Sequence, residues 1–143
     1  LRYRGPGVAT RHVDADGHES DAGMDGWFYP GDLAERLESG HIALRGRDKD
    51  VIIRGGVNIN PAEIEATLLG HPAVTEAAVL GRDDESRGQV VIAFVATSLD
   101  AEALESYCRD SLAPYKVPQE FRVLAELPKR SSGKVDKSAL EKI

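Results

Sequence analysis

The sequence predicts an α+β fold, a small three-stranded sheet covered by helices and preceded by a short all-β subdomain. Three observations lead there. Residues 1–50 alternate short apolar pieces with Gly- and Asp-rich turns and show no helical spacing. At NPAEIEATLLGHPAV (60–74) the pattern switches to that of a capped helix. Beyond it, TEAAVLG (75–81) and QVVIAFVAT (89–97) are continuous apolar runs, short and rich in β-branched residues, as buried strands are.

In order, the chain opens on the strand-like LRYRG. DADGHESDAGMDG (14–26) has almost nothing to bury and reads as a long turn-rich loop. WFYPGD is a short aromatic strand ending in a turn, and LAERLESGHIALRG is a hairpin broken at Glu38-Ser39-Gly40. VIIRGG is a β-branched strand closed by a glycine pair. Asn60 then caps a helix with Pro61 at its first position and Glu63 at its third, where both serve exposed amides. Ile64, Leu68 and Leu69 share a face of it, and Gly70 and Pro72 end it. GRDDESRG reads as a charged loop between the two buried strands. Asp100 caps a second helix whose Leu104, Tyr107, Cys108 and Leu112 share a face, stopped by Pro114. EFRVLAEL is the last strand and VDKSALEKI a terminal helix. The composition shifts at GRDKD (46–50), which divides the chain into 1–48 and 49–143.

Composition narrows the function classes. With 143 residues, 41% hydrophobic and 29% charged, the chain has enough apolar material for a core. Eighteen Lys and Arg against 24 Asp and Glu give a net charge of −6, so nothing global recruits nucleic acid or an anionic membrane. Anion binding has to be local. LPKRSSGKVDKSAL (127–140) is where it can occur, since Lys129, Arg130, Lys134 and Lys137 surround one Ser-Ser-Gly turn. Such a cluster is either a solvated surface turn or a device for meeting something negative. The single Cys108 makes no internal disulfide, and His12, His18, His41 and His71 lack metal-site spacing, so no structural metal is expected. No apolar run approaches the roughly 20 residues of a membrane span, and LRYRGPG lacks a signal-peptide core; a cytoplasmic location follows as the expectation. The start at Leu1, directly on a strand-like stretch, suggests a segment of something longer.

Four segments in order, GWFYPGDLA (26–34), GRDKDVIIRGGVNINPAEIE (46–65), LAPYKVPQEF (112–121) and LPKRSSGKVDKSAL, resemble the C-terminal portion of the adenylate-forming enzymes. That superfamily includes acyl- and aryl-CoA synthetases, peptide-synthetase adenylation domains and firefly luciferase. The resemblance implies that residues 1–48 are the final β subdomain of a large N-terminal adenylation domain, and 49–143 a mobile C-terminal lid. It also implies the reaction: ATP, with Mg2+, and a carboxylic acid give an acyl-adenylate, and a thiol then displaces AMP.

Carried onto this sequence, the resemblance makes Asp32 the acceptor of the ribose hydroxyls, a task that suits a carboxylate facing a vicinal diol. Arg47 becomes the arginine that supports the same nucleotide. Lys49 becomes the hinge, whose backbone angles absorb the lid's rotation. Gly55 and Gly56 become the loop that lets the pantetheine arm of coenzyme A come close to backbone. Lys134 becomes the catalytic ammonium bridging carboxylate and α-phosphate oxygens. PKRSSGK also resembles sites where protein acyltransferases modify such enzymes, which makes Lys134 a candidate acylation site.

Asn58 stands where several members carry Arg, and Pro30 interrupts the aromatic-Gly-Asp turn. The hinge segment looks more like acyl- or aryl-CoA synthetases than peptide-synthetase modules, so coenzyme A is the expected acceptor. Two other readings fit the same residues: a ligase loading a carrier protein, and a non-catalytic lid module that binds a carrier protein or an acyltransferase. The phosphate loop and acid pocket of the family occur nowhere in this sequence, so the segment alone is expected to be inactive, with no protein metal ligands and the acid unassigned.

Overall fold

The computed structural model describes all 143 residues and divides into two compact units, Leu1–Lys49 and Asp50–Ile143. The first is built from hairpins. β1 (Arg11–Val13) pairs antiparallel with β2 (Glu19–Asp21), β3 (Gly23–Met24) with β4 (Trp27–Phe28), and β5 (Asp32–Arg36) with β6 (Ile42–Arg47). LRYRG forms no strand; it contributes one bridge, Tyr3 to Phe28, with Arg2 and Arg4 stacked on the Trp27 ring. The Asp-rich stretch carries strand rather than loop alone because the Asp14 carboxylate closes its turn, accepting from the amides of Asp16 at 3.0 Å and His18 at 2.8 Å. A 3-10 turn, Asp48–Asp50, follows β6.

The second unit is α+β, and its sheet has five strands where three were expected. β7 (Ile52–Arg54) folds back on β8 (Val57–Ile59) through Gly55 and Gly56. The sequence hides this hairpin because β8 is only three residues long and follows its turn at once. Helix α1 (Pro61–Leu69) begins as expected at Asn60, whose side chain accepts from the Ala62 amide. Ile64 and Leu68 are fully buried, whereas Leu69 is 49% exposed, because a helix this short turns only a narrow stripe toward the sheet.

β9 (Val74–Asp84) and β10 (Gly88–Thr97) form a long antiparallel pair. The charged GRDDESRG is therefore mostly strand. Backbone pairing of Gly81 with Val91 and Asp83 with Gln89 overrides its polarity, and Asp84 closes the turn by accepting from the Ser86 and Arg87 amides. Helix α2 (Ala101–Ser111) is capped by Asp100, and β11 (Glu120–Leu124) lies parallel to β10. The terminal helix α3 is a single turn, Lys137–Leu140, since Glu141 already occupies its C-cap.

β10 explains why its run is apolar on both faces. Val91, Ala93 and Val95 join Ile52, Ile59, Ile64, Leu68, Leu104 and Cys108 in the core under α1 and α2. Ile92 and Phe94 point the other way, into a smaller cluster with Leu127 and Leu140. No helix is long and apolar enough to cross a membrane.

Candidate functional site

In the first unit, two expected nucleotide ligands come together. Asp32 opens β5 and Arg47 closes β6, and the strand register sets them directly opposite. Arg47 Nε lies 3.3 Å from Asp32 Oδ1, with the carboxylate partly sheltered and the guanidinium half-exposed. The Gly31 carbonyl, next to Asp32, accepts from the Asp48 amide at 2.8 Å, so the turn carrying the carboxylate is fixed. Pro30 does not prevent that turn. Lys49 is the last residue of this unit, exposed and central in the 3-10 turn.

In the second unit, Gly55 and Gly56 have φ of +57° and +80°, and a Cβ on either would meet nothing within 4 Å. Glycine is required by the backbone there, not by crowding. The hairpin is held by Arg54, Tyr115 and Gln119, to which the motifs assigned no role, and by Arg87, which lies outside the four segments. Arg54 donates to the Tyr115 carbonyl at 2.9 Å, and the Gly55 amide donates to the Arg87 carbonyl at 2.7 Å. Oriented with its oxygen toward them, the Gln119 amide accepts from Arg54 at 3.2 Å and from Arg87 at 2.7 Å. Glu63, expected to serve its own helix start, instead pairs with Lys116 Nζ at 2.6 Å; that bond chiefly raises the Lys116 pKa. The YKVP segment is thus tied to both α1 and the glycine hairpin.

The basic turn resolves into paired and unpaired cations. Lys129 binds Glu76, whose other oxygen accepts from the Leu127 amide at 3.1 Å. Arg130 lies 3.4 Å from Asp136, and Lys137 lies 3.4 Å from both Asp50 and Glu65. The surrounding cations are therefore internally compensated rather than merely solvated. Lys134 alone of the four has no carboxylate partner, and its side chain is exposed. Its backbone is nonetheless defined: the Arg130 amide donates to the Lys134 carbonyl, and the Gly133 amide to the Arg130 carbonyl, each at 2.9 Å.

The two loops are anchored near opposite ends of β10. Gly88, at its start, pairs with Arg54 of the glycine hairpin, while Ala96, near its end, pairs with Glu76, which anchors the lysine turn. Eight residues of strand separate those anchors by about 26 Å. No hydrogen bond or ion pair joins the two loops.

The profile of the AMP-binding enzyme C-terminal domain matches residues 63–134, half of the chain. The chain belongs to this family. It is 42% identical over 142 residues to a 2-succinylbenzoate–CoA ligase of Bacillus mycoides, covering 98% of this chain and 30% of that protein. It is 46% identical over 120 residues to a sulfoacetate–CoA ligase of Cupriavidus necator, covering 81% of this chain and 24% of that protein. In three dimensions it matches o-succinylbenzoate CoA synthetase of Bacillus subtilis in complex with its acyl-adenylate intermediate, with a TM-score of 0.76 and 40% identity over 84% of this chain and 25% of that one. The same synthetase has been solved with ATP and a magnesium ion. The chain thus spans less than a third of the curated relatives it matches.

Proposed function

We propose that this chain is the C-terminal part of an AMP-forming acid–thiol ligase that makes an acyl-CoA. Membership of the AMP-binding enzyme C-terminal domain family and likeness to two CoA ligases support that class. The observation that carries the mechanism is the unpaired ammonium of Lys134 among three compensated neighbours. In acyl-adenylate formation, a carboxylate oxygen attacks the α-phosphorus and the bond to pyrophosphate breaks. Two anions must meet, and a flexible ammonium with three donors can contact both as charge builds on the phosphorus oxygens.

Asp32 holds the ribose: one of its oxygens faces Arg47, leaving the other for a hydroxyl donor. Arg47 keeps that carboxylate oriented. Magnesium entering with ATP neutralises part of the phosphate charge; no residue of this chain is assigned to it.

In the second step the thiol sulfur of coenzyme A attacks the acyl carbonyl, and AMP leaves. Gly55 and Gly56 offer the thin pantetheine arm a surface without Cβ atoms. The lysine arm and this hairpin are anchored near opposite ends of β10, so one small reaction centre is not expected to use both at once. Rotation about Lys49 presenting each in turn meets that constraint. An isolated chain is accordingly inactive, and the acid is chosen outside it.

In the full-length enzyme, Lys134→Ala should lower ATP–pyrophosphate exchange by about a hundredfold or more. Thioester formation from supplied acyl-adenylate should persist. Undiminished exchange would overturn the assignment. Because Lys134 is exposed and unpaired, acylation of its Nζ by a protein acyltransferase would remove the charge and halt adenylation. Peptide mass spectrometry after incubation with acyl-CoA and such a transferase should place the label there.

A further inference from the structure

We infer that Lys137 is a positioning residue for Lys134, tying the arm that carries it to the hinge-side start of the second unit. This rests on the role proposed for Lys134. Lys137 Nζ lies 3.4 Å from Asp50 Oδ2 and 3.4 Å from Glu65 Oε1. Asp50 ends the 3-10 turn that carries Lys49, and Glu65 belongs to α1. Asp50 directly follows Lys49 and stands two residues before Ile52, which is buried in the main core. Glu65 lies on α1 beside the fully buried Ile64, and its Oε1 also accepts from the Val79 amide of β9 at 2.9 Å.

The arm is closed at its own base. The Asp136 amide donates to the Pro128 carbonyl at 2.7 Å, and Lys129 bridges to Val135. Glu76 fastens the incoming side through Lys129 and the Leu127 amide, and Leu140, fully buried, fastens the outgoing side. Those contacts hold the arm to β9 and to the sheet. Lys137 alone among its cations reaches the residue next to Lys49, 87 positions away in sequence. As the first residue of a helical turn, a lysine gains nothing from the exposed amides there, so this pair of carboxylates is what its charge serves.

Rotation at the hinge then moves the lysine arm together with Asp50. Without Lys137, the arm keeps its attachment to β9 but loses the one that relates it to the hinge. Lys134 would reach the reacting oxygens in a smaller fraction of closures, which lowers turnover in adenylation and leaves ATP affinity unchanged.

The test separates the half-reactions in the full-length enzyme. Lys137→Met should lower kcat for ATP–pyrophosphate exchange by roughly fivefold, the scale of a partly exposed two-carboxylate contact, with KM for ATP unchanged. Thioester formation from supplied acyl-adenylate should not change, and Lys137→Arg should restore most of the exchange. An equal fall in both half-reactions would mean a general structural role and overturn the inference. So would unchanged exchange in Lys137→Met when Lys134→Ala is strongly impaired.

If Lys134→Ala is itself silent, the functional reading fails and amide exchange in this chain decides the tether by itself. Faster exchange at Arg130, Gly133 and Asp136 in Lys137→Met, with Val91 and Val95 unchanged, supports it. No difference at those amides refutes it.

Discussion

Asp32 and Arg47 face each other across β5 and β6, with Arg47 Nε 3.3 Å from Asp32 Oδ1. They stand fifteen positions apart in sequence, and the hairpin at Glu38-Ser39-Gly40 brings them into register. A pair with one half-exposed partner contributes little to folding, about 0–1 kcal/mol.

Asp32→Asn should therefore shift the urea midpoint of this chain very little while raising KM for ATP in the full-length enzyme by about tenfold, the scale of one lost charge-assisted hydrogen bond. Urea titration and steady-state kinetics on the two proteins check this. A large stability loss with unchanged KM would mark the pair as structural.

Gly56 gives a cleaner backbone test. Alanine at φ +80° would be strained although its Cβ has open space, so Gly56→Ala should cost about 1–2 kcal/mol in chemical denaturation. Asparagine, which tolerates the left-handed region, should cost less. Under the proposed function thioester formation should slow in both variants, because the hairpin would present a side chain to the pantetheine arm.

The Glu76–Lys129 pair sets a pH window. Its bond to Lys129, followed by the Leu127 amide, lowers the Glu76 pKa below the ordinary carboxylate value. Its stabilisation is present above that ordinary value and lost as pH falls through the lowered one. The same bond raises the Lys129 pKa, so at the alkaline end the contribution is complete below the usual lysine value and disappears as pH climbs through the raised one. Glu76→Gln should lower the denaturation midpoint slightly at neutral pH, where the pair is fully formed, and converge with the native chain at low pH, which flattens the acid limb of the midpoint profile.

Cys108 is buried on the inner face of α2, and desolvation pushes its thiol up to about 11. The folded state favours the neutral thiol, so its contribution is complete below the ordinary thiol value and declines as pH rises through about 11. Cys108→Ala should remove that part of the alkaline slope. The native thiol should also resist iodoacetamide at pH 8 and react after unfolding.

Much of this architecture is local and so could be read before any coordinates. Asn60 and Asp100 cap their helices because side-chain oxygens serve the exposed amides next to them. The two-faced apolar run of β10 announces burial on both sides, and a glycine pair after β-branched residues announces a turn. The candidate site residues came from motifs, each a short contiguous string.

Long-range pairing was not. That Asp83 belongs to a strand depends on Gln89 lying opposite, and that Lys129, Arg130 and Lys137 are compensated while Lys134 is not depends on Glu76, Asp136, Asp50 and Glu65. By itself the sequence determined the α+β class, the caps and the chemical identity of the cations. Tertiary structure decided which cation is left over, because charge compensation is a property of distance, and residues up to 87 positions apart become neighbours only when the chain folds.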